Sequence, residues 1–134
     1  MKSFTLFLDN KGDNVQVDLR LDIDGILALK KKYNEMTVET IYSAIVEPDK
    51  LITILDKALN YPGNTNTIKA GKDLYNLLID NDICGMEGFW EVLSGIAKES
   101  GIISGKMAER MNENANKMFD GMFANLGNEN SPQE

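Results

Sequence analysis

Apolar side chains change their spacing once along this chain, near residue 22, and that change limits the class of fold open to it. Before it, Phe4, Leu6 and Leu8 alternate with Ser3, Thr5 and Phe7, and Val15, Val17, Leu19 and Leu21 alternate with Gln16, Asp18 and Arg20. A period of two belongs to a half-buried strand, and Asn10-Lys11-Gly12-Asp13-Asn14 between the two runs is rich in turn formers. Residues 3–21 therefore read as a β-hairpin. Two strands alone are marginal in water, so their apolar face needs helices over it.

Helices are what the rest of the chain predicts. Asp22 or Asp24 can cap a first one running to about Glu35, with Ile26, Leu27, Leu29, Lys30 and Tyr33 on its periodic face. Thr37 is placed to cap a second, which Pro48 ends. Asp49 is placed to cap a third, with Leu51, Ile52, Leu55, Ala58 and Leu59 as its stripe. Asn64-Thr65-Asn66-Thr67 offers capping oxygens to a fourth, which carries Leu74, Leu77 and Leu78 and closes near Asp80. A fifth takes Phe89, Trp90, Val92, Leu93 and Ile96, with Ser100-Gly101 suited to its end. Ser104 then caps a sixth, running to about Leu126. The expected fold is α+β, mainly α: an N-terminal hairpin followed by five to six compact helices. It forms one globular domain over residues 1–126, with a polar, disordered tail at 127–134.

The sixth helix carries four of the seven methionines. At about 100° per residue, Met107, Met111, Met118 and Met122 share an arc of roughly 60°, and Phe119 and Phe123 widen it. Two uses compete for such a stripe. An amphipathic stripe is ordinarily core. Methionine, however, is flexible and polarizable, so a row of it also suits a surface that repacks against apolar partners of different shape. These six residues are the candidate partner-binding site.

Composition argues against most chemistry. The chain of 134 residues has no histidine, which removes the commonest general base, zinc ligand and activator of serine or cysteine. Gly71-Lys72 is followed by Asp73, where a phosphate-binding loop requires Ser or Thr, and Gly101 to Lys106 has the wrong spacing. Asp9 to Asp13 places Lys11 at a calcium-ligand position and lacks the distal glutamate. Ser94, Ser100 and Ser104 have no conventional base, and the lone Cys84 reads as an inert thiol with no second cysteine to pair with. No catalytic residue, metal ligand or cofactor site is assigned, and the expectation is a non-enzyme.

The net charge of −7 opposes attraction to nucleic acid or anionic membrane, and neither a secretory signal nor a membrane-length apolar run is visible. The expected compartment is intracellular. Acidity is concentrated towards the C-terminus: residues 1–67 carry eight basic against ten acidic side chains, and residues 68–134 carry six against eleven. The methionine stripe thus lies in the half with most of the solubilising charge.

Three stretches carry a family resemblance: Asp24-Gly25-Ile26-Leu27-Ala28-Leu29-Lys30-Lys31-Lys32-Tyr33, Asn66-Thr67-Ile68-Lys69-Ala70-Gly71-Lys72-Asp73-Leu74-Tyr75-Asn76-Leu77-Leu78-Ile79-Asp80, and Ile96-Ala97-Lys98-Glu99-Ser100-Gly101-Ile102-Ile103. With the N-terminal hairpin before them, they make residues 3–105 resemble the tail assembly chaperones of long-tailed bacteriophages, in the small form found in phages and prophages of Gram-positive hosts. These are packing and capping patterns, and none is a catalytic signature. The resemblance implies a protein of the host cytoplasm that coats the aggregation-prone tape measure protein until tail tube protein polymerises around it, and that is absent from the finished virion. It names the tape measure protein as partner and tail tube protein as a second candidate. Family members are often made in two lengths by ribosomal frameshifting, and this chain resembles the shorter. The family supplies no binding residues, so the methionine site rests on physics alone. The alternative is a small structural phage or prophage protein forming a homo-oligomer through the same C-terminal helix.

Overall fold

A computed structural model describes residues 2–130. Two antiparallel strands, β1 (Phe4–Asn10) and β2 (Asp13–Leu19), precede six α-helices: α1 (Ile23–Tyr33), α2 (Thr37–Ser43), α3 (Pro48–Leu59), α4 (Gly71–Asp80), α5 (Gly85–Glu99) and α6 (Gly105–Asn130). A 3-10 turn, Ala44–Val46, joins α2 to α3. The architecture is α+β, mainly α, as the change of period at residue 22 predicts. The chain divides into two compact units, Met1–Ile103 and Ser104–Glu134.

The hairpin closes on two residues at positive φ, Lys11 (53°) and Gly12 (92°), the backbone that a tight turn matched to strand twist requires. Its register sets Phe4 opposite Leu19, Leu6 opposite Val17 and Leu8 opposite Val15, so the apolar residues share one face. Leu8, Val17 and Leu19 are fully buried there, β2 against α3 and β1 against α4 and α5. Burying one such side chain is worth about 1.5–3 kcal/mol, a gain the hairpin has only with its helices in place.

Each strand also has an outer edge, and a single asparagine holds each. Asn66 accepts the Asp18 N–H (2.8 Å) and returns its Nδ2 to the Asp18 carbonyl (2.8 Å) and to the Leu59 carbonyl (2.9 Å). Asn81 does the same for β1, accepting the Asp9 N–H (2.9 Å) and donating to the Asp9 and Leu77 carbonyls. In effect, a side-chain amide takes the place of one residue of a third strand on either side. An exposed edge invites pairing with foreign strands, and these clamps interrupt it.

Several helix starts differ from the expectation. Asp22 caps α1, its Oδ1 accepting the Gly25 N–H at 2.9 Å, so Asp24 falls inside the first turn. Thr37 is the first residue of α2 and Asp49 the second of α3, and Met36 and Glu47 hold the cap positions without a side-chain bond to the helix N–H groups. Pro48 opens α3, since its missing N–H is one that a first turn leaves unpaired in any case. The run Asn64-Thr65-Asn66-Thr67 caps nothing. Asn66 is committed to β2, Asn64 bonds the Tyr61 carbonyl and the Asn66 N–H, and α4 begins only at Gly71, whose N–H donates to Asp56 Oδ1 of α3 (3.2 Å). Leu27, expected on the buried face of α1, is exposed.

Alpha-6 continues to Asn130, past the expected end at Leu126 and through residues 127–130 of the expected tail. Gly127 costs a helix about 1 kcal/mol relative to alanine but leaves the backbone ladder able to continue. The rest of the expected tail, residues 131–134, lies outside the described residues.

Candidate functional site

The methionine helix begins as its sequence suggests. Ser104 Oγ accepts the Met107 N–H at 3.1 Å, and the Ser104 carbonyl takes the Ala108 N–H at 2.9 Å, so the first turn is closed by one residue. No β-branched residue occurs between Gly105 and Asn130, which leaves side-chain rotamers along α6 little restricted.

Of the six candidate partner-binding residues, the structure describes three side chains. Met107 is 45 % and Met118 48 % exposed, and Met111 is half-buried. Met122, Phe119 and Phe123 lie on the same helix, with side chains outside the described residues. Met107 and Met118 are eleven residues apart, about three turns, and so project from nearly the same side. Between a core stripe and an accessible one, these two methionines fall on the accessible side.

Neighbouring chemistry is sparse. Among the described residues no group of three His, Cys, Asp or Glu side chains is placed to hold a metal ion, and no helix is long and apolar enough to cross a membrane. Cys84 is a free, half-buried thiol at the start of α5. A cleft of about 610 Å³ between the hairpin turn and α4 sets Lys11 and Lys69 among Asp73 and Asp80, all four on its lining. The adjacent aromatics of α5 pack within the fold: Phe89 is buried and stacks on Tyr75 (centroids 5.6 Å apart), and Trp90, half-buried, tilts against Tyr42 (4.8 Å). Burial holds the Tyr42 hydroxyl above its ordinary pKa, against a smaller opposing effect of its hydrogen bond with Ser94 Oγ.

One charged cluster escaped the sequence reading. Lys50, 8 % exposed on α3, sends its Nζ to Glu35 Oε1 (2.7 Å), Glu47 Oε2 (3.3 Å) and Ser43 Oγ (2.9 Å), and lies 5.0 Å from the Tyr33 ring centre. Thr40 Oγ1 also donates to Glu35 Oε1 at 3.0 Å. The Lys50 hydrogen bond is the chief cause holding the Glu35 carboxyl below its ordinary value, and the same bond raises the Lys50 ammonium against the opposing effect of burial. Its signal in the sequence was faint: a lysine beside Leu51, one position off the polar side of an amphipathic helix. The cluster ties the α1–α2 connection to α3 and offers no open position to a substrate.

No protein-family model, curated protein or solved structure matches the chain.

Proposed function

We propose that this protein is a noncatalytic chaperone of bacteriophage tail assembly, working in the host cytoplasm, that keeps a tape measure protein soluble by gripping its apolar helical stretches. The observation that carries the reading is the pair Met107 and Met118, two flexible apolar side chains standing open to solvent on nearly the same side of α6. A long client with many apolar helix faces needs a surface that accepts several shapes, and methionine repacks with little strain. The resemblance of residues 3–105 to small tail assembly chaperones supplies the client, with tail tube protein as the assembly partner that displaces the chaperone.

Co-expression with the tape measure protein encoded beside it is the direct test. The client should move into the soluble fraction and copurify, and Met107→Ala with Met118→Ala should reduce its recovery. A client that stays insoluble, with no complex recovered, would sink the reading. Mass spectrometry of finished particles addresses the alternative: a chaperone is missing from them, whereas a structural protein self-assembling through α6 is present in many copies.

A further inference from the structure

Helix α1 presents two opposite faces of different use. Gly25 and Leu29 lie on one side and are buried, whereas Ile23 and Leu27, one turn apart on the other, are 65 % and 54 % exposed. At about 100° per residue, with Leu27 as the centre of the outer face, Ile23 stands about 40° to one side. Asp24 and Lys31 stand about 60° and 40° to the other. Both charged residues are exposed, Asp24 three positions before Leu27 and Lys31 four after it. Neither takes part in an ion pair among the described residues. The outer face is therefore an apolar centre with a negative charge at one end and a positive charge at the other, on the same side.

We propose that this face is self-complementary, and that two copies of the chain pair through it, α1 against α1, antiparallel about a two-fold axis at Leu27. Such an axis sets residues before Leu27 in one copy opposite residues after it in the other, and it keeps each side of the face on its own side. Leu27 then meets Leu27, and Asp24 of each copy comes against Lys31 of the other, offset by about one residue's rise of 1.5 Å. The contact occurs twice by symmetry. Parallel pairing about an axis along the helices exchanges the two sides of the face, which sets Lys31 of each copy near the exposed Lys30 of the other and leaves Asp24 without a cation, so charge selects the antiparallel arrangement. An eleven-residue helix is only about 16 Å long, so the interface is small and the pairing concentration-dependent. The inference stands apart from the client-binding reading, which concerns α6.

Sedimentation equilibrium of the purified chain over a concentration series at low salt tests it. The wild type should show reversible dimer formation that weakens as salt is added. Leu27→Glu should sediment as monomer throughout, and Asp24→Lys or Lys31→Asp alone should weaken association at least about tenfold. The double variant Asp24→Lys/Lys31→Asp re-forms both contacts with signs exchanged and should return to within about threefold of wild type. All of these positions are exposed, and far-UV circular dichroism checks that helix content is kept. The proposal is overturned if the wild type is monomeric at every concentration, if Leu27→Glu leaves association unchanged, or if the double variant associates no better than the single ones. Association that survives Leu27→Glu but is lost in Met107→Ala/Met118→Ala would place self-contact on α6 and equally overturn it.

Discussion

At the scale of single residues, two polar side chains hold more of this structure than their number suggests. Asn66 is 4 % exposed and joins β2 to the end of α3 through three hydrogen bonds. Asn66→Ala strands the backbone groups it served, at about 1–3 kcal/mol for each buried group left unpaired, and should lower the urea midpoint clearly more than Asn81→Ala, whose bonds to Asp9 are exposed. Lys50 and Glu35 make the second case. Because the folded Glu35 carboxyl lies below its ordinary 4.5, its contribution to stability is present above that value and is lost as pH falls through the lower, folded one. The wild-type melting temperature should therefore drop on acidification below about pH 4.5 more steeply than that of Glu35→Gln. A parallel decline in the two proteins would show that the pair contributes nothing.

At the scale of elements, the start of α4 shows how tertiary packing overrules local signals. Alpha-4 begins where α3 lets it begin: a Cβ on Gly71 would strike the Ile52 carbonyl and the Asp56 backbone N, and Asp56 caps the helix from across the interface. Gly71→Ala should cost about 1–3 kcal/mol through this overpacking, measurable by chemical denaturation, even though alanine is the better helix former. The hairpin, the Asp22 and Ser104 caps and the end at Ser100-Gly101 were legible in the sequence, because each depends on residues next to one another; the end expected at Pro48 was not, since α2 stops at Ser43 and Pro48 opens α3. The role of Asn66, the start at Gly71 and the Lys50 cluster were not, because their partners, Glu47 beside Lys50 apart, stand seven to forty-eight residues away. The methionine stripe was half legible. Its spacing is a matter of helical period, but whether it faces core or solvent depends on what surrounds it. Since Met107 and Met118 are exposed, truncating each to alanine should change stability by no more than about 0.5 kcal/mol. A fall of several kcal/mol in thermal or urea unfolding would return the stripe to the core.

At the scale of the molecule, the two units differ in what they bury. Among the described residues, the largest fully buried side chains, from Leu19 through Leu59 to Ile96, all belong to Met1–Ile103. A chain ended after Ile103 should therefore keep a single cooperative unfolding transition by circular dichroism. Under the chaperone reading it should also lose its hold on the client. A broad, non-cooperative melt would show that α6 is required for the core.

The two asparagine clamps have a consequence at this scale. A carboxamide neither titrates nor responds to ionic strength, unlike the Lys50 cluster, so its bonds to β1 and β2 keep their form in acid, base or brine. The margins of the hairpin are thus interrupted by chemistry indifferent to solution conditions, so the block on pairing with foreign strands stays in place where a guard made of charges would be titrated or screened away.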